Sequence, residues 1–274
     1  MQVVFKRLQS TMQRRRFLSS TLSASALAAA GASLGAQSNA AREYYELRCY
    51  KMQSGDQPKL AHKYFAEALI PALNRQGMKT VGAFDLYLGP ETPSIYLLIP
   101  SSSLEALVTS ELRLAHDEEY LKAAEPFDAA PAKQEAFTRV ESSLMIAFEG
   151  YPKLTVPPVT AKNGARVFQM RTYESPSLRD HRRKVEMFNS GEFDIFEKAG
   201  FWNVFFGDTL IGARLPNLTY MLSFPNIDEL DAKWKAFGEH PDWKKLSSEP
   251  KFTFESIVSN ITNYILRPAS YSQI

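Results

Sequence analysis

From residue 43 the chain alternates in the period of a strand, with Tyr45, Leu47 and Cys49 on one face and Glu46, Arg48 and Tyr50 on the other. Residues 58–76 change to helical spacing through Leu60, Tyr64, Ala68, Leu69 and Leu73, and the run stops at Gly77. Strand patterns return over 80–88 and 94–99, on either side of Gly89-Pro90. Residues 102–113 read as a helix, a further short helix follows His116, and 137–148 read as a last strand. The order β-α-β-β-α-β then recurs over 166–174, 177–199, 202–211, 217–224, 226–237 with 241–247, and 252–266.

The recurrence extends to single residues. At one constant offset Tyr45-x-Leu47-Arg48-x-Tyr50 meets Phe168-x-Met170-Arg171-x-Tyr173, Gly77 meets Gly200, Asp85 meets Asp208 and Pro93 meets Pro216. One residue of slip pairs His116 with His240. A shorter offset pairs Phe137-Thr138 with Phe252-Thr253, which predicts an insertion in the first copy over Ala123–Ala136. The proline-rich stretch 150–164 reads as a linker between units at 43–149 and 165–268. The expected fold class is α+β: two tandem ferredoxin-like units, packed sheet to sheet because the face without helices must be buried somewhere.

Composition adds an N-terminal segment of another kind. Residues 1–40 hold Lys6, Arg7, Arg14, Arg15 and Arg16 and no acid, so the remainder carries 27 basic against 30 acidic residues and is mildly acidic. Such a body has no electrostatic footprint for nucleic acid. Arg14-Arg15-x-Phe17-Leu18 before an Ala/Ser/Leu-rich run resembles a twin-arginine export signal, which implies cleavage near Ala36 or Ala40 and a periplasmic or extracellular mature protein. The run is too short and too rich in small residues to predict a stable membrane span. The single cysteine, Cys49, excludes an intrachain disulfide.

Candidate chemistry is sparse. The apolar face of the first strand is expected to meet the helices, so Glu46, Arg48 and Tyr50, with Arg171 and Tyr173, are expected to look into the space between the sheets. There an arginine could hold a carboxylate or enolate, or could instead pair with an acid such as Glu46 and brace the fold. His116 and His240 stand as a general base or haem ligand near the pocket mouth or, in the plainer reading, as helix-start residues. Trp202, Trp234 and Trp243 all fall in the second copy and offer an aromatic wall. The run Arg179–Lys184 reads as a solvated helix face. Candidate catalytic groups are thus His116, His240, Tyr50 and Tyr173; candidate ligand-binding groups are Arg48, Arg171, Glu46 and Trp202. No metal spacing, phosphate loop or cofactor motif is present.

Tyr45-Glu46-Leu47-Arg48-x-Tyr50, Gly77 with Val81-Gly82, and His240-Pro241-x-Trp243 resemble the NIPSNAP family of the dimeric α/β-barrel superfamily, over both copies. The resemblance implies that the two units close into one intrachain barrel. Other members of the superfamily include cofactor-independent monooxygenases, haem-degrading enzymes and isomerases, so fold alone does not choose a reaction. The expected role is binding of a small apolar or anionic ligand in the barrel interior; a cofactor-independent or haem-linked oxidoreductase or isomerase is the alternative. Haem is the one cofactor the superfamily brings into question, and further homo-oligomerisation stays open.

Overall fold

The computed structural model describes residues 41–274, with the backbone alone at 254 and 255; the segment expected to be an export signal, with Arg14, Arg15, Phe17 and Leu18, lies outside the described residues. The first repeat runs β1 (Tyr44–Lys51), α1 (Asp56–Tyr64), a π-helical turn (Phe65–Leu69), α2 (Ile70–Arg75), β2 (Gly82–Leu88), β3 (Ser94–Ser101), α3 (Leu104–Val108), α4 (Ser110–Leu114), α5 (Glu118–Asp128) and β4 (Arg139–Ala147). The second runs β5 (Val167–Glu174), α6 (Leu178–Met187), a π-helical turn (Phe188–Glu192), α7 (Phe193–Lys198), β6 (Trp202–Ile211), β7 (Asn217–Phe224), α8 (Leu230–Glu239), α9 (Pro241–Ser247), α10 (Phe254–Ile257) and β8 (Asn260–Pro268).

Each repeat is an antiparallel sheet in the order β4-β1-β3-β2 or β8-β5-β7-β6. β2 pairs with β8 and β4 with β6, so the two sheets join at both edges into a closed eight-stranded barrel. Closure leaves none of these eight strands with a free edge. Local sequence signals recur at equivalent places. Gly77 and Gly200 take positive φ after α2 and α7, and the next residues, Met78 and Phe201, donate back to the Leu73 and Phe196 carbonyls, ending both helices in the same way. The β2–β3 and β6–β7 hairpins each hold a left-handed residue, Glu91 and Arg214, two positions before a cis proline.

Three apolar clusters follow from closure. One lies between the first sheet and its helices, around Tyr50, Phe65, Leu69 and Phe127. A second lies between the second sheet and its helices, around Phe188, Phe196, Phe206 and Tyr220. The third fills the barrel lumen with residues from all eight strands, including Tyr45, Phe84, Met145, Phe168, Phe205 and Leu266. Tyr45 and Phe168 hold the same repeat position, and each ring meets one from the other repeat: Tyr45 meets Phe205 at 5.3 Å and Phe168 meets Phe84 at 4.8 Å. Fully burying such side chains contributes on the order of 1.5–3 kcal/mol each.

This arrangement reverses the expected facing of the first strand. Tyr45, Leu47 and Cys49 point into the lumen, whereas Tyr50 packs in the helix-side cluster and Arg48 reaches Glu111 on α4. The physical reason is that both faces of these sheets are covered, so polarity no longer marks the open side. β3 is buried at every position, from Ser94 to Ser101. The lumen takes the apolar face because it is lined by strands alone; the helix layer can carry charge because a helix supplies the counter-charge.

The end of the second repeat also departs from expectation. The predicted strand 252–266 begins only at Asn260; Pro250–Phe252 form a 3-10 turn and Phe254–Ile257 a short helix. Phe137-Thr138 and Phe252-Thr253 are therefore not counterparts. β1 pairs Arg48 with Ser142, and β5 pairs Arg171 with Asn263, which makes β4 and β8 equivalent. In that register the first copy is two residues longer between Ser101 and Ser142 than the second between Phe224 and Asn263, so the long Ala/Pro insertion reduces to a small length difference.

Candidate functional site

The lumen is packed at one end and hollow at the other. Leu154 and Ile274 join the aromatic cluster at the packed end. Towards the other end a cavity of about 580 Å³ remains, walled by Leu47, Cys49, Tyr96, Met170 and Tyr264 and supplied with polar groups by Ser143, Thr172, Asn217 and Thr219. Period-two alternation aims these side chains inward: Cys49 and Thr172 are repeat counterparts on β1 and β5, as are Tyr96 and Thr219 on β3 and β7. The Thr172 and Thr219 hydroxyls are 2.8 Å apart, and Thr209 donates to Asn217 at 2.7 Å. Burial pushes the Cys49 thiol pKa up, so this cysteine is held as a neutral thiol and not as a nucleophile.

The cavity rim carries ion pairs of opposite sense in the two repeats. In the first repeat Lys51 meets Glu91 at 2.7 Å and Glu141 at 2.8 Å. In the second, Glu174 occupies the Lys51 position and Arg214 the Glu91 position, 3.6 Å apart. The pseudo-twofold axis thus relates a cation to an anion at both places. Lys51 and Arg214 stand against Glu91, Glu141 and Glu174, a formal sum of −1, and each side offers a donor and an acceptor.

The candidate arginines lie outside the lumen, in the two helix layers. Arg48, 6 % exposed, donates through Nε and Nη2 to Glu46 at 2.7 and 2.9 Å and through Nη1 to Glu111 at 2.5 Å. Burial works to lower its pKa, but the hydrogen bonds and charge of Glu46 outweigh this and hold the guanidinium above its ordinary range. This is the bracing arrangement. Arg171 differs: Gln169 replaces Glu46, and Trp234 replaces Glu111. Its guanidinium lies 4.4 Å from the Trp234 ring centroid and 5.3 Å from that of Tyr173. Among the described residues Arg171 Nε is buried without a hydrogen-bond partner. Trp234 is held in place by its indole N–H donating to Gln169 at 2.7 Å, while Gln169 donates to Asn263 at 2.9 Å.

Beneath Arg171 lies a polar cluster that the sequence reading missed. Lys184 on α6 and Glu192 at the end of the π-helical turn are both buried and paired, with Nζ 2.7 and 3.0 Å from the carboxylate oxygens. Burial drives the Lys184 pKa down and the Glu192 pKa up, against their mutual attraction. Tyr173 and Tyr220 share a hydrogen bond of 2.8 Å beside them, and burial raises the pKa of both phenols. The first repeat has Ala61 and Leu69 at the lysine and glutamate positions, and Leu97 at that of Tyr220. The available signal was a charge standing where the other copy is apolar. It also corrects the reading of 179–184 as a solvated face: Arg179 and Arg182 are exposed, but His181 and Lys184 are buried.

The histidines fall apart as a pair. His240 is the N-cap of α9, its Nδ1 accepting from the Asp242 N–H at 3.2 Å. The first-repeat counterpart is Asp117, N-cap of α5, which accepts from the Tyr120 N–H at 2.9 Å; His116 is exposed one residue earlier. Without the assumed slip, Asp117-x-x-Tyr120 matches His240-x-x-Trp243. His62 and His181 each reach an aspartate on a strand, Asp85 at 3.1 Å and Asp208 at 2.7 Å, and those aspartates are repeat counterparts. None of the four lines the lumen cavity, so no histidine is placed there to ligate a haem. Trp202 is 40 % exposed at the start of β6 and does not border the cavity. Tyr50 is buried against Phe65, Phe127 and Phe137. Among the described residues no group of three or more metal-ligating side chains is present, and no helix is long and apolar enough to cross a membrane.

Comparison with known proteins agrees with this architecture. A protein from Fusobacterium nucleatum, described as a candidate monooxygenase, matches with a TM-score of 0.57 at 7% identity, over 84% of this chain and 93% of its own. A second candidate monooxygenase, from Lactobacillus acidophilus, matches with a TM-score of 0.55 at 9% identity, over 83% and 94%. A NIPSNAP-like domain protein from Burkholderia xenovorans matches 39% of this chain and 88% of its own at 16% identity, with a TM-score of 0.35. At these identities the first two likenesses are of fold. No curated protein matches the chain. The NIPSNAP family profile matches twice, over residues 45–148 and 168–273, the same two segments that build the two halves of the barrel, and the chain belongs to the NIPSNAP family.

Proposed function

We propose that this protein binds a small amphipathic molecule in the hollow end of the barrel lumen. The observation that carries this reading is the cavity of about 580 Å³, built by strands of both repeats, with an apolar floor and a hydrogen-bonding rim. That size and mixture fit a compact organic ligand. Leu47, Met170, Tyr96 and Tyr264 would take its apolar end, and Ser143, Asn217 and the threonine pair its polar end. The rim charges of Lys51, Glu91, Glu141, Glu174 and Arg214 are engaged with one another, which favours a hydroxyl, carbonyl or amide over a bare ion. The N-terminal segment supports export by the twin-arginine route, so the ligand would be met outside the cytoplasm. Fractionation of the full chain and of an Arg14→Lys/Arg15→Lys variant tests that part: retention of the variant in the cytoplasm is expected, and equal export overturns it.

Native mass spectrometry with an absorption spectrum, on protein taken from its own export route, tests the lumen. A retained non-covalent mass, absent when Thr172→Trp fills the cavity without loss of folding, is expected. Retention of the same mass by the filled variant, or a clean apo mass for the unaltered protein, overturns the reading. An oxidoreductase or isomerase reading finds its support elsewhere, in the connected cluster of Arg171, Tyr173, Lys184, Glu192 and Tyr220, since only the second repeat carries it.

A further inference from the structure

We propose that the helix layer of the second repeat is a separate site for a small planar, conjugated carboxylate, with Arg171 as its anchor and Trp234 as its wall. The first repeat provides the internal control. Arg48 sits at the same strand position and has two carboxylates within hydrogen-bonding distance, Glu46 and Glu111. Both positions are uncharged in the second repeat. Among the described residues no carboxylate lies within ion-pair distance of Arg171, and its Nε is buried without a hydrogen-bond acceptor. The Lys184–Glu192 pair adds no net charge in either of its forms. The local sum is therefore about −1 around Arg48 and +1 around Arg171. A buried or half-buried cation with an unmet donor is the feature an incoming anion would complete.

Geometry narrows the chemistry. Trp234 covers one face of the Arg171 guanidinium at 4.4 Å. A ligand must then approach in the plane of the guanidinium, at its edge, where a flat carboxylate can accept two parallel N–H bonds. A conjugated tail would continue that plane along the aromatic wall, whereas a tetrahedral anion would not. Asn263, cross-strand from Arg171, is exposed, and Arg171 itself is half-buried, so the side of the guanidinium nearest the surface is where a ligand would arrive. The Gln169 amide fixes the indole in this orientation through the 2.7 Å bond to Trp234, so the wall is positioned before any ligand arrives.

The test uses the full chain with benzoate as the probe and benzamide as its neutral match, followed by calorimetry and tryptophan fluorescence. One benzoate per chain is expected, with benzamide weaker by at least about tenfold, as a charge-assisted bidentate contact requires. Arg171→Gln should lose benzoate binding by a similar factor. Trp234→Glu, which restores the pairing that the first repeat already tolerates, should do the same while leaving the unfolding transition in place. Glu46→Gln with Glu111→Trp, the reverse exchange, should raise the stoichiometry towards two. Thr172→Trp, which fills the lumen and should displace any lumen ligand, should leave benzoate affinity and stoichiometry unchanged. No benzoate binding, binding that survives both Arg171→Gln and Trp234→Glu, or binding lost only in Thr172→Trp would each overturn the proposal, and the last would place benzoate in the lumen.

Discussion

The two helix layers share one backbone plan and solve opposite electrostatic problems. In the first, charge is concentrated on Arg48 and neutralised at once by Glu46 and Glu111, and the positions deeper in the layer are Ala61 and Leu69. In the second, the arginine is left to aromatic rings, and the deep positions carry a buried lysine and glutamate. The comparison teaches that the fold does not require a buried ion pair at that depth, because the first repeat builds the same turn without one. The second pair is therefore a departure from what packing alone would select.

The largest expected effect breaks that pair. Lys184→Met should destabilise the protein by about 3–5 kcal/mol in chemical denaturation, because Glu192 is left buried without its counter-charge. Converting both positions to the first repeat's residues, Lys184→Ala with Glu192→Leu, should be close to neutral or should stabilise by about 1–4 kcal/mol. A double variant as damaged as the single one would show that the layers are not interchangeable. Next in size, Arg48→Met should cost about 3 kcal/mol, since it strands the largely buried Glu46 carboxylate. Arg171→Met should cost less, about 1 kcal/mol, since it strands no paired carboxylate; equal losses would contradict the contrast drawn above. The smallest concerns helix starts. α6 begins at Ser177, whose hydroxyl accepts from the Asp180 N–H, while α1 begins at Gly55 with no side-chain cap. Ser177→Ala should lower stability by about 1 kcal/mol, read from the shift in the denaturation midpoint.

The duplicated β-α-β-β-α-β order was legible because strand and helix periods are local properties, and the repeat confirmed each element against its copy. The facing of β1 was not legible. A strand covered on both sides carries no outward mark, and Arg48 identifies its side only through Glu111, more than sixty residues along the chain. The His116–His240 pairing failed for a different reason: residue identity was allowed to override register, when Asp117 and His240 perform the same capping task with different atoms. The lumen cavity was invisible for a third. Its lining residues are single, unremarkable Thr, Asn, Tyr and Met side chains that converge only once both seams have closed. The mismatch at Lys184 and Glu192, charged where the first repeat has Ala61 and Leu69, is carried by the repeat alone.

The rim pairs Lys51–Glu91 and Glu174–Arg214 have a consequence for inheritance. In a barrel assembled from two identical chains, every substitution arrives twice, and a cation placed at the Lys51 position would face the same cation across the axis. Joining the halves in one polypeptide removes that obligation: a single codon change alters one side only. Charge reversal at the rim, and the exchange of a carboxylate for a tryptophan over one arginine, are alterations that only a fused chain can carry singly. The same covalent link lets one half drift towards a new ligand while the other keeps the barrel closed.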